Sequence, residues 1–179
     1  MVQLNDLLGT KASLAVLRYF AAYPTQERHF ASLWKQTKLA KATLRKWLET
    51  FSAEGFITVR NLGRMKLYRL NREHPFVKQF KVLDAVTQLL PAKSIAIQFH
   101  CSIYLFGSVA RGEDTEKSDI DLLLLAEAYS TEIQSMLEKT IKSKRKITIH
   151  VFTNLEWSQM ARKDPAFYER VEKDKIQIA

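Results

Sequence analysis

Apolar and polar positions follow two rhythms along the chain, and the switches between them outline its elements. From Leu4 to Ala22, the positions Leu4, Leu7, Leu8, Leu14, Leu17, Tyr19 and Phe20 recur at a broadly helical spacing. Gly9-Thr10 is placed to divide this helix, and Tyr23-Pro24 to end it, because the residue before a proline avoids the helical region. A second, short helix is predicted over 29–37, with Phe30, Leu33 and Trp34 on its inner face. A third is predicted over 40–54, where Leu44, Trp47, Leu48 and Phe51 fall at i, i+3, i+4 and i+7 and Gly55 stands ready to end it. The rhythm then becomes alternation. Residues 56–60 and 65–70 read as strands joined by a hairpin turn at Asn61-Leu62-Gly63-Arg64.

The second half mixes the two rhythms. Residues 75–90 predict a connecting helix, with Pro75 at a favoured early position and Phe76, Phe80, Leu83, Val86 and Leu90 on one face. Residues 92–101 are ambiguous; Ile95, Ala96 and Phe99 fit a helix packed under the next strand. An apolar run at 103–106 ends in Gly107-Ser108. A small turn (Val109, Ala110, Arg111) and a polar loop over 112–118 follow. Asp119-Ile120-Asp121 then opens a second apolar run, Leu122 to Leu125. Beyond it come an amphipathic helix over 130–142, a basic run at 143–146 and a third strand over 147–152. The chain closes with a helix over 155–162 capped by Thr153 or Asn154, a short helix from Pro165, and Ile176-Gln177-Ile178.

The chemistry concentrates between Ser102 and Leu125. Gly107 lets backbone approach a ligand with no Cβ in the way, and the Ser108 hydroxyl with nearby free N–H groups suits an anion. On a strand, Asp119 and Asp121 point to one face with Cα atoms about 6.6 Å apart. Two carboxylates so placed repel by about 3 kcal/mol at an effective dielectric near 20 and call for a cation. Oxygen donors alone suit Mg²⁺ (or Mn²⁺), which completes its shell from water and substrate phosphates.

Gly107-Ser108, ten residues, then Asp119-x-Asp121, with Ala110-Arg111-Gly112 between, resembles the signature of nucleotidyltransferases of the DNA polymerase β superfamily, above all its minimal members. The resemblance implies a small αβ domain with a mixed sheet. It implies a nucleoside triphosphate (NTP) as substrate, Mg²⁺ on Asp119 and Asp121, and phosphates held by Gly107, Ser108 and Arg111, although Arg111 could instead pin the loop. It also implies a third carboxylate on the strand after Asp121, and this chain departs from that pattern. Residues 147–152 read Ile-Thr-Ile-His-Val-Phe, so the third position falls to Thr148 or His150. His150 could act as a base, since an ordinary imidazole titrates near pH 6.5. Glu156, just past the strand, could reach in. Otherwise the domain binds nucleotide without transferring it.

Charge adds a second function. Residues 1–72 hold 13 Lys and Arg against 4 Asp and Glu, whereas 73–179 are balanced at 15 against 15, so the whole formal net charge of +9 lies in the first part. A basic module joined to a neutral one points to a polyanion partner. Three helices and a basic hairpin, with the stretches Ala40-Lys41-Ala42-Thr43-Leu44 and Ala53-Glu54-Gly55-Phe56-Ile57, resemble a winged helix-turn-helix domain. That resemblance implies double-stranded DNA as partner. Lys41, Thr43, Arg45 and Lys46 would enter a groove, and Arg60, Arg64, Lys66 and Arg69 would meet phosphates. Ala40 stands where a Ser or Thr cap is usual, which weakens that helix start by about 1 kcal/mol. The alternative is a solvated basic face on a unit used for docking or for a homodimer.

The chain is therefore expected to be α+β: a winged helix over 1–72, a connecting helix over 73–91 and a nucleotidyltransferase-like domain over 92–179. The expected activity is Mg²⁺-dependent transfer of a nucleoside monophosphate to an acceptor hydroxyl on protein or nucleic acid. One alternative is a transcriptional regulator that senses nucleotide without chemistry. Another, from the resemblance, is an antitoxin-type partner of a HEPN protein. With 46% apolar and 11% aromatic residues among 179, the chain is globular rather than disordered. The lone Cys101 permits no internal disulfide, which fits a cytoplasmic location, and neither a membrane span nor a signal peptide is expected.

Overall fold

A computed structural model describes residues 3–127 and 131–179. The chain folds into two units, Met1–Lys78 and Gln79–Ala179.

In the first unit, α1 (Leu4–Leu8) and α2 (Lys11–Ala22) are separate helices, broken at Gly9-Thr10 as the pattern suggested. Thr10 caps α2 by accepting from the Ser13 amide at 3.0 Å. A two-residue strand, β1 (Arg28–His29), runs directly into α3 (Phe30–Thr37), which His29 caps through its ring nitrogen. Two residues show no alternation, so β1 carried no sequence signal. It forms because β3 offers a free edge. Helix α4 (Lys41–Ala53) starts at an uncapped Ala40 and buries Leu44, Trp47, Leu48 and Phe51. The hairpin of β2 (Ile57–Leu62) and β3 (Met65–Leu70) completes an antiparallel sheet of order β1-β3-β2. Phe56 stacks on Phe76 with ring centroids 4.3 Å apart and closes this core.

Helix α5 (Pro75–Leu89) passes from the first unit into the second. Its buried face differs from the stripe expected. Val77, Phe80, Lys81 and Leu89 are buried, while Leu83 and Leu90 are more than half exposed. The apolar spacing misled because a lysine occupies the inner face one position after Phe80.

The second unit is a mixed sheet of order β6-β5-β4-β7. Strand β4 (Ser102–Phe106) leads into the short α7 (Gly107–Ala110) and pairs antiparallel with β5 (Ile120–Leu125) and with β7 (Ile176–Gln177). β6 (Ile147–Phe152) lies parallel to β5. Helices cover both faces, so β5 reads as a nearly continuous apolar run. On one face α6 (Lys93–Phe99) and α8 (Thr131–Thr140) pack on Leu105, Ile120, Leu122 and Leu124. On the other, α9 (Asn154–Lys163) and α10 (Pro165–Asp174) pack Trp157, Val171 and Phe167 on Phe106, Leu123 and Leu125. The ambiguous stretch is thus a helix, with Ile95 and Ala96 inside. The start expected for α8 at Ser130 lies outside the described residues. Among the described residues no helix is long and apolar enough to cross a membrane.

One polar cluster lies inside this unit. Lys81 Nζ donates to the Asp114 carbonyl at 2.6 Å and sits 2.8 Å from its Oδ1, with both side chains under a tenth exposed. Arg145 Nη1 meets Asp114 Oδ2. Removing one partner of a buried ion network leaves an uncompensated charge, at a cost of about 3–5 kcal/mol. Lys81→Met is expected to destabilise the protein on that scale in chemical denaturation, and Lys81→Met with Asp114→Asn to recover part of the loss. Equal stability of Lys81→Met and the native protein would show the network to be energetically idle.

Candidate active site and basic groove

The end of β4 and the start of β5 lie side by side, with Phe106 opposite Asp121, and this pairing builds the site. Gly107 follows at φ +75°, a conformation that suits glycine. A Cβ placed there would stand 2.8 Å from Asp121 Oδ2. The bare Cα of Gly107 is therefore the seat of the Asp121 carboxylate. Asp119 sits one residue before β5. Its Oδ2 accepts from Thr148 Oγ1 at 3.3 Å and lies 3.5 Å from Lys146 Nζ.

Parallel pairing of β5 with β6 resolves the open register. Thr148 pairs with Asp121, and His150 with Leu123. Thr148 thus occupies the place beside the two aspartates, and His150 lies two residues along the same face, about 6.6 Å further in. The His150 ring packs between Phe106, at 5.6 Å, and Phe167, at 5.2 Å. Glu156 lies beyond the opposite end of β6. There it accepts from the Thr153 amide at 2.8 Å and Thr153 Oγ1 at 3.0 Å in a capping box, so the structure corrects the idea that it reaches the site. Among the described residues no three His, Cys, Asp or Glu side chains converge as a metal cage.

The electrostatics follow from this packing. Burial raises the Asp121 carboxyl above the ordinary range; His150, Arg170 and Lys146 oppose the rise, and Asp119 adds to it. Burial lowers His150 below the ordinary imidazole range, against the pull of Asp121. Arg111 is tied down. Its Nε meets Glu113 Oε2 at 2.8 Å and its Nη1 meets Asp174 Oδ2 at 2.5 Å, which anchors the end of α7 to α10. Ser118 Oγ accepts from the Thr115 amide and shapes the loop before Asp119. The cations Lys146 and Arg170 went unnoticed in the sequence; Lys146 read only as part of a solvated basic run.

The sequence profile of the nucleotidyltransferase domain family matches residues 81–177. The chain belongs to this family. Its second unit is a nucleotidyltransferase-like domain whose Gly107-Ser108 and Asp119-x-Asp121 stand together in space. Among solved structures, a proposed nucleotidyltransferase from Sulfolobus solfataricus, determined at 1.40 Å resolution, is similar at 22% identity. The match covers 54% of this chain and 85% of that one, with a TM-score of 0.33. No curated protein matches the sequence.

In the first unit, a groove of about 890 Å³ runs between α4 and the β2–β3 hairpin, lined among others by Arg45, Arg64, Lys66 and Tyr68. Lys41 lies 4.5 Å from the Trp34 ring centroid and Arg45 5.9 Å from that of Phe30, so both cations rest on α3 aromatics. Thr43 is half-buried, while Lys46 and Arg69 are exposed. Arg60 is not a free cation: it forms a two-pronged bond with Glu27, at 3.2 and 2.6 Å.

The raised Asp121 carboxyl sets a pH dependence. The folded protein holds this proton more tightly than the unfolded chain. Its contribution to stability is therefore full below the ordinary Asp range, about pH 4, and is lost as pH rises through the raised value. Asp121→Asn is expected to raise the thermal midpoint at neutral pH in chelator and to flatten this loss. Melting curves from pH 3 to 8 check it; a lower midpoint for the variant at neutral pH counts against the burial argument.

Proposed function

We propose that the second unit binds a nucleoside triphosphate with a divalent cation and transfers the nucleoside monophosphate to an acceptor hydroxyl, the new O–P bond forming at the α-phosphorus as the α–β phosphoanhydride bond breaks and pyrophosphate leaves. The observation that carries this reading is the Asp121 carboxylate seated on Gly107, with Asp119 beside it. The donor set is hard oxygen: two carboxylates and the Thr148 hydroxyl. Asp121 carries a charge that burial disfavours, so Asp119 and Asp121 fit Mg²⁺ or Mn²⁺. When bound, such a cation neutralises phosphate charge and orients the triphosphate.

The remaining steps belong to the chain itself. The Gly107 backbone and the Ser108 hydroxyl hold phosphate oxygens. His150, kept neutral by burial, is the side chain on this face that can accept the proton of the acceptor hydroxyl, but it stands two residues further in than Thr148. Thr148 stands where the family pattern expects a carboxylate, and its hydroxyl cannot take up a proton near neutral pH. Transfer is therefore slow relative to binding.

That same threonine favours a second reading, in which the unit senses nucleotide without chemistry. Each labelled triphosphate, incubated with the protein and Mg²⁺ with and without cell lysate, separates the two. Slow label transfer to macromolecule is expected. It should rise at least about tenfold in Thr148→Asp, which places a carboxylate beside Asp121, and fall in His150→Ala. Bound nucleotide with no transfer in any variant supports sensing.

We further propose that the first unit is a winged helix that binds double-stranded DNA. Helix α4 presents Lys41, Arg45 and Lys46 to a groove, and Arg64, Lys66 and Arg69 meet phosphates. Support comes from the net +9 on residues 1–72 and from the groove that α4 shares with the hairpin. If about six phosphates are neutralised, the full chain's log affinity for duplex falls with log salt at a slope near −5. Arg64→Ala with Lys66→Ala should weaken binding to all sequences alike and flatten that slope. Affinity independent of salt would return this unit to a docking or dimerisation role.

A further inference from the structure

We infer that Arg170 is the cation that receives the substrate's polyphosphate, in the place expected for Arg111. This rests on the proposed triphosphate reading and adds a residue to it. Arg111 lies in the family's motif, but its guanidinium is bonded on two sides, to Glu113 and to Asp174, and the second bond fixes α10 against the end of α7. One helical turn before Asp174, α10 carries Arg170. Arg170 is exposed, and among the described residues it makes no ion pair; its guanidinium lies 5.3 Å from the centroid of the Phe167 ring. Phe167 packs on His150 at 5.2 Å and on Phe106 at 6.1 Å, and Phe106 is the residue paired with Asp121. A short chain of contacts therefore leads from the carboxylate site to Arg170. Its positive charge also acts on both Asp121 and His150.

A cation at the edge of a carboxylate pair, with no acid of its own, balances those carboxylates while the site is empty. With a divalent ion on Asp119 and Asp121, the guanidinium would be left to meet phosphate oxygens. Its fork of donors suits them, and Phe167 supports its plane. Lys146, 3.5 Å from Asp119, faces the same carboxylates from the β6 side. The Arg111–Asp174 pair is then a positioning device, which holds α10 so that Arg170 and Phe167 keep their place beside Phe106 and His150.

The test compares two ligands whose responses should differ in sign. Mn²⁺ alone and Mg²⁺ with tripolyphosphate, a probe that carries no base, are titrated calorimetrically into the full chain at mildly alkaline pH. Native protein, Arg170→Met, Asp121→Asn and the exposed control Lys163→Met, at the end of α9, are compared. Arg170→Met is expected to bind Mn²⁺ as well as or better than native protein, because a positive charge has left the carboxylates. It should bind Mg²⁺–tripolyphosphate at least about tenfold more weakly. Lys163→Met should match native protein on both ligands, and Asp121→Asn should lose both.

If Arg170→Met weakens both ligands together, its role is structural and the inference falls. If tripolyphosphate binding stays within about twofold of native while Asp121→Asn abolishes it, Arg170 is a bystander and the triphosphate reading stands. If native protein binds neither tripolyphosphate nor any nucleoside triphosphate in Mg²⁺, that reading fails and this inference fails with it.

Discussion

The buried carboxylate of Asp114 is the point on which the second unit turns. Lys81 reaches it from α5, Arg145 from the entry to β6, and its own loop joins α7 to β5. An ionised group in a low-dielectric interior is tolerated only with paired charge and good hydrogen bonds, so this geometry leaves little freedom. The consequence reaches the site. The loop that delivers Asp119 and the loop that delivers Thr148 are fastened to one side chain, and the Ile120 amide bonds to the Lys146 carbonyl at 2.9 Å. The starts of β5 and β6 thus enter the sheet in a fixed register.

Within that frame the site itself is held under electrostatic tension. Asp121 is pressed against the bare Cα of Gly107 and partly removed from water, with Asp119 close by. Lys146 and Arg170 relieve some of the strain but complete neither charge. Such a site is more comfortable with a cation present. On the proposed reading, a divalent cation would relieve a cost already built into the fold. The family pattern adds a third, and here Thr148 stands in its place. Thr148 keeps a hydrogen bond to Asp119 and offers neither a negative charge nor a proton acceptor, which on the proposed reading weighs on transfer more than on binding.

The first unit works by other means. Its core is aromatic and apolar, built on Trp47, Phe51, Phe56 and Phe76, and its charges are almost all outside. Lys41 and Arg45 lie on Trp34 and Phe30, and Arg60 is bound to Glu27. A basic sequence is therefore not a set of equally free cations. Some are held by neighbours and some, such as Arg64 and Lys66, line the groove.

Much of this was legible in the sequence because it is local. Helical stripes such as Leu44, Trp47, Leu48 and Phe51, the hairpin alternation, and Gly107-Ser108 with Asp119-x-Asp121 each depend on neighbours only a few residues away. The rest required contacts between distant residues. Strand β1 exists only because β3 offers an edge. The inner face of α5 includes Lys81 only because Asp114, 33 residues later, neutralises it. Thr148 rather than His150 stands beside Asp121 because of a parallel register that no periodicity encodes. Arg111 is engaged by an ion pair spanning 63 residues, while among the described residues Arg170 makes no ion pair and lies against Phe167. Periodicity reports which face of an element is apolar; it carries no information about which charged group will meet which other. In this protein that pairing, decided by the tertiary structure, is what sets the site.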